Sequence, residues 1–108
     1  MNSKDLKKMA DDFLRETTDK LELLPFSELD TWPEWPEKPD FEIDVPEILG
    51  KYTFGVMKDT QRDLSIRIAV QRYRPYMLGV GEMTADGFFA YRDGSRKRFS
   101  QKNIWEVT

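Results

Sequence analysis

Hydrophobic residues near the start of the chain recur at the spacing of an amphipathic helix. In residues 3–24 they stand three or four positions apart, and the positions between them are mostly Lys, Asp, Glu and Arg. Asn2 or Ser3 can cap the first turn, and Pro25 ends the pattern. We therefore predict a helix over residues 3–24 whose apolar stripe consists of Leu6, Met9, Ala10, Phe13, Leu14, Thr17, Leu21 and Leu24.

The pattern changes between residues 25 and 50, where five of the six prolines fall. Proline fixes φ and removes a backbone donor, so we expect no long helix there. Trp32 and Trp35 lie three residues apart in a WPEWPEKP stretch, whose prolines favour extended polyproline II geometry. Packing of both rings on the rest of the protein is favoured over an external docking motif. In residues 41–45 apolar and acidic side chains alternate, which predicts a short edge strand.

From Lys51 onward apolar residues alternate with polar ones, which indicates strands. Asp86-Gly87 and Asp93-Gly94 are dipeptides typical of hairpin turns, and Gly79-Val80-Gly81 suits a bend that curls a sheet. The fold class is therefore predicted as α+β, with the helix and a Pro-rich arm packed on a small, strongly bent antiparallel β meander or SH3-like half-barrel of five to six strands. These strands are expected at residues 52–56, 64–71, 77–83, 88–92, 96–100 and 104–107.

Charge divides the chain into two halves. Residues 1–50 hold 6 basic and 14 acidic side chains, a net charge of −8, whereas residues 51–108 hold 11 basic and 6 acidic ones, a net charge of +5. We therefore distinguish an acidic helical and Pro-rich arm, residues 1–50, from a basic antiparallel β domain, residues 51–108, within one folding unit. Opposite charges attract, so the arm is expected to fold over the basic surface.

The amino-acid composition limits the kinds of catalytic and metal-binding site that this chain can form. The chain contains no cysteine and no histidine, which excludes disulfides, thiolate nucleophiles and the commonest general base and metal ligand. We expect no enzymatic activity, no catalytic residue, no cofactor and no metal. The longest apolar or glycine run is residues 76–81, too short for a signal peptide or a membrane span, so the predicted location is the cytoplasm and no membrane partner is expected.

Basic and aromatic side chains supply the candidate binding residues. Arg72-Tyr73-Arg74-Pro75-Tyr76 interleaves guanidinium and aromatic groups, which is the chemistry that contacts phosphates and stacks on bases. A second basic cluster flanks the Asp93-Gly94 turn. Both clusters are equally typical of soluble strand edges, and that interpretation is favoured because the pI is near 5.0. The candidates are Trp32, Trp35, Arg67, Arg72, Tyr73, Arg74, Tyr76, Arg92, Arg96, Lys97 and Arg98.

Three functions remain open at this point. The first is a non-catalytic protein-interaction or regulatory module, whose partner is another protein. The second is a nucleic-acid-binding module that uses the basic β-domain surface, masked by the acidic arm. The third, an acidic arm that imitates nucleic acid toward a basic partner, ranks last because no particular residue supports it.

Overall fold

The computed structural model describes residues 2–108 and contains one long helix and one sheet. The long helix α1 spans Ser3–Glu22, and the short helix α2 spans Phe26–Asp30. A single 3-10 turn, Glu47–Leu49, precedes the sheet. The remaining elements are β1 (Thr53–Thr60), β2 (Ile66–Pro75), β3 (Gly81–Ala90), β4 (Arg96–Arg98) and α3 (Gln101–Glu106).

The sheet is open and antiparallel, with the strands in the order β1-β2-β3-β4. Val56 stands opposite Val70, and Ile68 stands opposite Phe88. β4 is short and pairs only with residues 88–90. Because side chains alternate along each strand, one face carries the even-numbered residues of β2 and the other face the odd-numbered ones. We call these the inner face, which α1 covers, and the outer face, which α3 covers in part.

The helix α1 confirms the predicted amphipathic stripe in part, because it ends at Glu22, before Leu24, and Met9 is exposed. Asn2 caps it by accepting a hydrogen bond from the Asp5 N–H at 2.9 Å. Its buried leucines, Leu14 and Leu21, join the inner face in one apolar core. The core also contains Leu29, Val56, Ile66, Ile68, Val70, Phe88 and Ala90, with Trp32, Phe41 and Ile43 packed against it.

The strand prediction needs correction at the β2–β3 connection. The expected strands 77–83 and 88–92 are one strand, β3, which runs through Asp86-Gly87 without turning. The hairpin turn lies instead at residues 76–80, so the Gly79-Val80-Gly81 stretch ends a hairpin rather than curling a barrel. Gly87 is needed for another reason, since a side chain there would collide with the Phe99 ring.

Three further expectations are wrong. Residues 41–45 form no strand, because their apolar side chains pack into the core beside β1 without pairing with it. Residues 104–107 form no strand, because residues 104–106 belong to the helix α3 and Val107 caps its end. A capping box between Ser100 and Asn103 begins this helix. The sheet therefore has four strands instead of five or six, and it is open instead of an SH3-like half-barrel. The division of the chain at residue 50 stays a prediction.

Candidate functional site

Two arginines of the inner face, Arg72 and Arg98, are held by carboxylates of α1 and of the sheet. Arg98 in β4 forms ion pairs with Asp19, Glu22 and Asp86, and the Glu22 contact measures 2.9 Å. Partial burial acts to lower the pKa of Arg98, but its hydrogen bonds to Asp19, Asp86 and Glu22 outweigh that effect and raise the pKa. Arg98 is therefore fixed as a cation inside the contact between α1 and the sheet.

Arg72 is the most enclosed of the predicted binding residues, with 2% of its surface exposed. Its Nη2 lies 2.9 Å from Asp11 of α1 and 3.0 Å from Glu82 of β3. The guanidinium also stands 5.1 Å from the centre of the Tyr52 ring, a cation–π contact. Within residues 2–108, its Nε and Nη1 atoms are buried without a hydrogen-bond partner. Arg72 thus joins three elements and presents no free surface to a ligand.

Arg74 and Tyr76 do lie together, at the far end of β2. The Arg74 guanidinium stands 5.4 Å from the Tyr52 ring centre and 5.2 Å from the Tyr76 ring centre. Tyr76 is half exposed, and its hydroxyl lies 3.4 Å from Glu82. Within the predicted Arg-Tyr cluster, Tyr76 is exposed, Tyr73 and Arg74 are partly buried, and Arg72 is buried.

The basic residues around the Asp93-Gly94 turn separate in the structure. Arg96 donates a hydrogen bond to the Leu24 carbonyl at 2.7 Å, and Arg92 stands 5.5 Å from the Phe26 ring centre. Both therefore fasten the chain after α1 to the sheet. Lys97 alternates with Arg96 and Arg98 along β4, so its side chain points to the outer face, where it is exposed.

Arg67 also lies on the outer face, away from the other arginines. It binds the Asp59 carboxylate through two hydrogen bonds, of 2.8 and 2.7 Å, and stands 3.7 Å from Glu106 of α3. Nearby, Ile104 and Val107 pack on Ala69 and Ala85. These contacts attach α3 to the sheet, so Arg67 has a structural role.

The two tryptophans of the Pro-rich stretch occupy different environments. Trp32 packs on the core near Phe41, with ring centres 5.9 Å apart, whereas Trp35 has 62% of its surface exposed. Between them the chain is tied to β1, because the Trp35 N–H donates to the Lys58 carbonyl at 2.8 Å. The expectation that both rings pack on the rest of the protein is therefore met by Trp32 and wrong for Trp35.

Lys58 is a buried lysine that was not among the predicted candidates, and only 3% of its surface is exposed. Its Nζ donates to the Trp32 carbonyl at 2.9 Å and lies 3.1 Å from Glu34. Burial acts to raise the pKa of Glu34, but hydrogen bonds from Thr60 and Lys58 together lower it. The alternation of β1, which places Lys58 on the same face as Val56, was the available signal for this residue.

The β2–β3 hairpin ends in an apolar tip, which we define as Tyr76, Met77, Leu78 and Val80. All four are exposed, and Leu78 is 95% exposed. Leu78 and Gly79 have positive φ values of 57° and 79°, and the Val80 N–H donates to the Met77 carbonyl at 3.1 Å. Asn or Asp normally takes the first position of such a turn, because leucine is strained there. The turn therefore exposes the Leu78 side chain to water, in a backbone conformation that leucine disfavours.

The part of the chain that the structure describes contains no group of three or more metal-ligating side chains and no helix long and apolar enough to cross a membrane. Sequence and fold comparisons add no assignment. No protein family model, no curated protein and no solved structure matches the chain. The candidate site therefore rests on geometry alone, and its most exposed feature is the hairpin tip.

Proposed function

We propose that the protein is a non-catalytic protein-interaction module whose partner contacts the β2–β3 hairpin tip. The observation that carries this proposal is the cluster of exposed apolar side chains at the tip, in which Leu78 is 95% exposed. Clustered exposed apolar side chains mark interaction sites. A cytoplasmic location, as the composition predicts, belongs to the same proposal.

The shape of the tip suits a protein partner better than a nucleic acid. Met77, Leu78 and Val80 offer apolar area and no positive charge, while Arg74 stands behind them against Tyr76. Apolar anchors surrounded by polar residues resemble the energetic centres of protein interfaces. Nucleic-acid binding, in contrast, depends on free cations, and Arg72 and Arg98 are already paired with carboxylates.

A capture experiment with a matched control tests the proposal. The tip variant Met77→Ser/Leu78→Asn/Val80→Thr replaces three of the four tip residues, and Leu64→Asn changes another exposed leucine with positive φ at the opposite end of the sheet. Each immobilised protein is exposed to nuclease-treated lysate of the cells that make it. A specific protein recovered by the wild type and by Leu64→Asn should be lost with the tip variant.

The recovered protein is then purified and titrated directly. Each buried apolar side chain contributes about 1.5–3 kcal/mol, so the tip variant should weaken binding by roughly a hundredfold or more. Equal affinity of the wild type and the tip variant would contradict the proposal, as would a capture in which no protein depends on the tip.

A further inference from the structure

Trp35 is an exposed aromatic side chain on an anchored stretch of backbone. Its N–H donates to the Lys58 carbonyl at 2.8 Å. The residue before it, Glu34, accepts a hydrogen bond from the Thr60 N–H at 2.8 Å and pairs with the Lys58 Nζ at 3.1 Å. These bonds attach the chain at Trp35 to β1, yet 62% of the tryptophan surface is exposed. The ring is therefore accessible to a ligand without any rearrangement of the backbone.

A cleft on the outer face of the sheet lies beside this ring. Met57 of β1 and Gln71 of β2 line it, together with Glu106 and Val107 at the end of α3. The Gln71 Nε2 donates to the Val107 carbonyl, which joins the end of α3 to the sheet. The volume of the cleft is about 470 Å³, within the range of sites for small ligands.

The hydrogen-bonding groups that the cleft leaves over are mainly acceptors. Arg67 donates through Nε and Nη2 to Asp59, and its Nη1 stands 3.7 Å from Glu106, so all three nitrogens face carboxylates. Because Gln71 donates through Nε2, its Oε1 is left to accept. Within residues 2–108 the Glu106 carboxylate, 43% exposed, has no hydrogen-bond donor closer than Arg67. A ligand that fits these groups donates N–H bonds.

Charge and the indole ring add a preference for a cation. Asp59 and Glu106 carry two negative charges and Arg67 carries one positive charge, so the lining side chains sum to −1. Tryptophan is the best aromatic partner for a cation. The arginine–aromatic contacts within residues 2–108 use other rings, which leaves the Trp35 ring without a cation of its own.

We propose that this cleft, which we call the Trp35 cleft, binds a small organic cation that carries N–H donors, an alkylammonium or alkylguanidinium group. The charged head lies on Trp35 and donates to Glu106 and Gln71, while the alkyl part lies on Met57. The net charge disfavours an anion, and a quaternary ammonium leaves the acceptors unpaired. This site is separate from the hairpin tip, and the proposal does not depend on the protein-interaction function.

Titrations of the nitrogen-15-labelled full chain with four probes test the ligand chemistry. Ethylguanidinium and butylammonium are cations with N–H donors, ethylurea is the neutral counterpart of the first, and tetramethylammonium is a cation without N–H groups. The Trp35 indole N–H and the Gln71 side-chain amide report binding. We expect both N–H cations to bind with a Kd of about 1 mM, and the other two probes to bind roughly fivefold more weakly or less. This comparison needs no variant to fold.

Variants of the full chain locate the site. Trp35→Leu removes the ring and Glu106→Gln removes the surplus negative charge, so each should weaken ethylguanidinium binding roughly fivefold, measured on the Gln71 amide. Trp35→Phe keeps an aromatic face and should retain part of the affinity. Trp105→Leu is the matched control, because it changes another exposed tryptophan that does not line the cleft, and it should bind like the wild type.

Two further probes with the same guanidinium head distinguish the sources of the cation. Agmatine represents a free amine, and acetyl-arginine methylamide represents an arginine side chain of a protein. Tighter binding of agmatine would identify a free small molecule as the ligand, and equal or tighter binding of the blocked arginine would identify a protein side chain. The proposal would be overturned if neither N–H cation shifts the Trp35 and Gln71 signals up to about 20 mM. Ethylurea that binds as tightly as ethylguanidinium, or Trp35→Leu that binds like the wild type, would overturn it as well.

Discussion

Leu64 and Gly94 occupy the same position in two matching turns. In the β1–β2 turn the Leu64 N–H donates to the Gln61 carbonyl at 2.9 Å, and in the β3–β4 turn the Gly94 N–H donates to the Tyr91 carbonyl at 3.0 Å. Both residues have positive φ, 68° and 91°. In each turn the next residue is a serine that binds the preceding aspartate. The shared backbone favours glycine, so Leu64 is the strained member of the pair.

Replacing Leu64 with glycine should therefore stabilise the protein. Leucine in the left-handed region costs about 1–2 kcal/mol, and glycine costs about 0.5–1 kcal/mol in chain entropy. We expect Leu64→Gly to raise the free energy of unfolding by about 0.5–1 kcal/mol in urea titrations, and Gly94→Leu to lower it by about 1 kcal/mol. A loss of stability in Leu64→Gly would show that the exposed leucine makes a stabilising contact.

The same reasoning applied to the hairpin tip predicts that stability and binding move in opposite directions. Leu78→Asn places asparagine before Gly79, the dipeptide that this turn prefers. We expect the free energy of unfolding to rise by about 0.5–1 kcal/mol while the affinity for the captured partner falls roughly tenfold. Calorimetry for unfolding and titration for binding measure the two effects on one sample. A variant that is both more stable and fully able to bind would remove Leu78 from the contact surface.

Gly87 offers a test of the corrected strand. An added side-chain carbon at Gly87 would overlap the Ile68 carbonyl oxygen and stand 2.6 Å from a Phe99 ring atom. Such overpacking typically costs about 1–3 kcal/mol, so Gly87→Ala should destabilise the protein by about 2–3 kcal/mol. Gly55→Ala in β1, where the same carbon meets nothing within 4 Å, is the matched control and should change stability by under about 1 kcal/mol. Equal effects of the two variants would argue for a turn at residues 86–87.

The Gly87 case shows where local sequence signals mislead. Asp86-Gly87 is a strong hairpin dipeptide, yet glycine is required there because the Ile68 carbonyl and the Phe99 ring leave no room for a side chain. Those contacts join residues distant in sequence, so no local pattern reveals them. Residues 104–107 carry strand-forming side chains, but the capping box at Ser100 and Asn103 starts a helix just before them. The amphipathic pattern of α1 was a more reliable guide, because it extends over 20 residues and many of them contribute to it.

The candidate site was predictable only in part. The sequence pointed to an acidic arm over basic residues, and the ion pairs of Arg72 and Arg98 with α1 follow that expectation. Strand register decides which arginines are enclosed, and the position of the β2–β3 turn sets that register. The sequence pattern predicts this turn at the wrong residues, so it does not show which arginines are enclosed. The exposed tip was missed for the same reason, since residues 77–83 were expected to lie inside a strand.

Glu82 gives the fold a predictable sensitivity to acid. Burial acts to raise its pKa, but the hydrogen bond from Arg72 and the charge of Lys7 outweigh burial and lower the pKa below its ordinary value of 4.5. A carboxyl with a lowered folded-state pKa stabilises the protein fully above its unfolded-state pKa, and that contribution disappears as the pH falls through the folded-state value. Stability should therefore decline as the pH falls below about 4.5.

Urea midpoints between pH 7 and pH 2.5 measure this effect. Glu82→Gln should be less stable than the wild type at pH 7, and the difference should shrink toward zero at the acid end. Glu42→Gln, at an exposed position on the arm, serves as the control and should follow the wild type throughout. A constant difference between Glu82→Gln and wild type across the range would mean that the charge of Glu82 contributes nothing.

The last prediction concerns masking of the basic surface. Asp19 and Glu22 of α1 pair with Arg98, and neutralising them in the full chain exposes that charge without removing the helix. Deleting the arm would be less informative, because Leu14 and Leu21 belong to the core. We expect Asp19→Asn/Glu22→Gln to lose about 1 kcal/mol of stability, since Arg98 keeps Asp86 as a partner. If the protein is a protein-interaction module, the variant should still not bind single-stranded RNA or DNA in a titration at 50 mM salt. Affinity that appears in the variant and falls steeply with added salt would instead support the nucleic-acid function, because phosphate contacts release counterions.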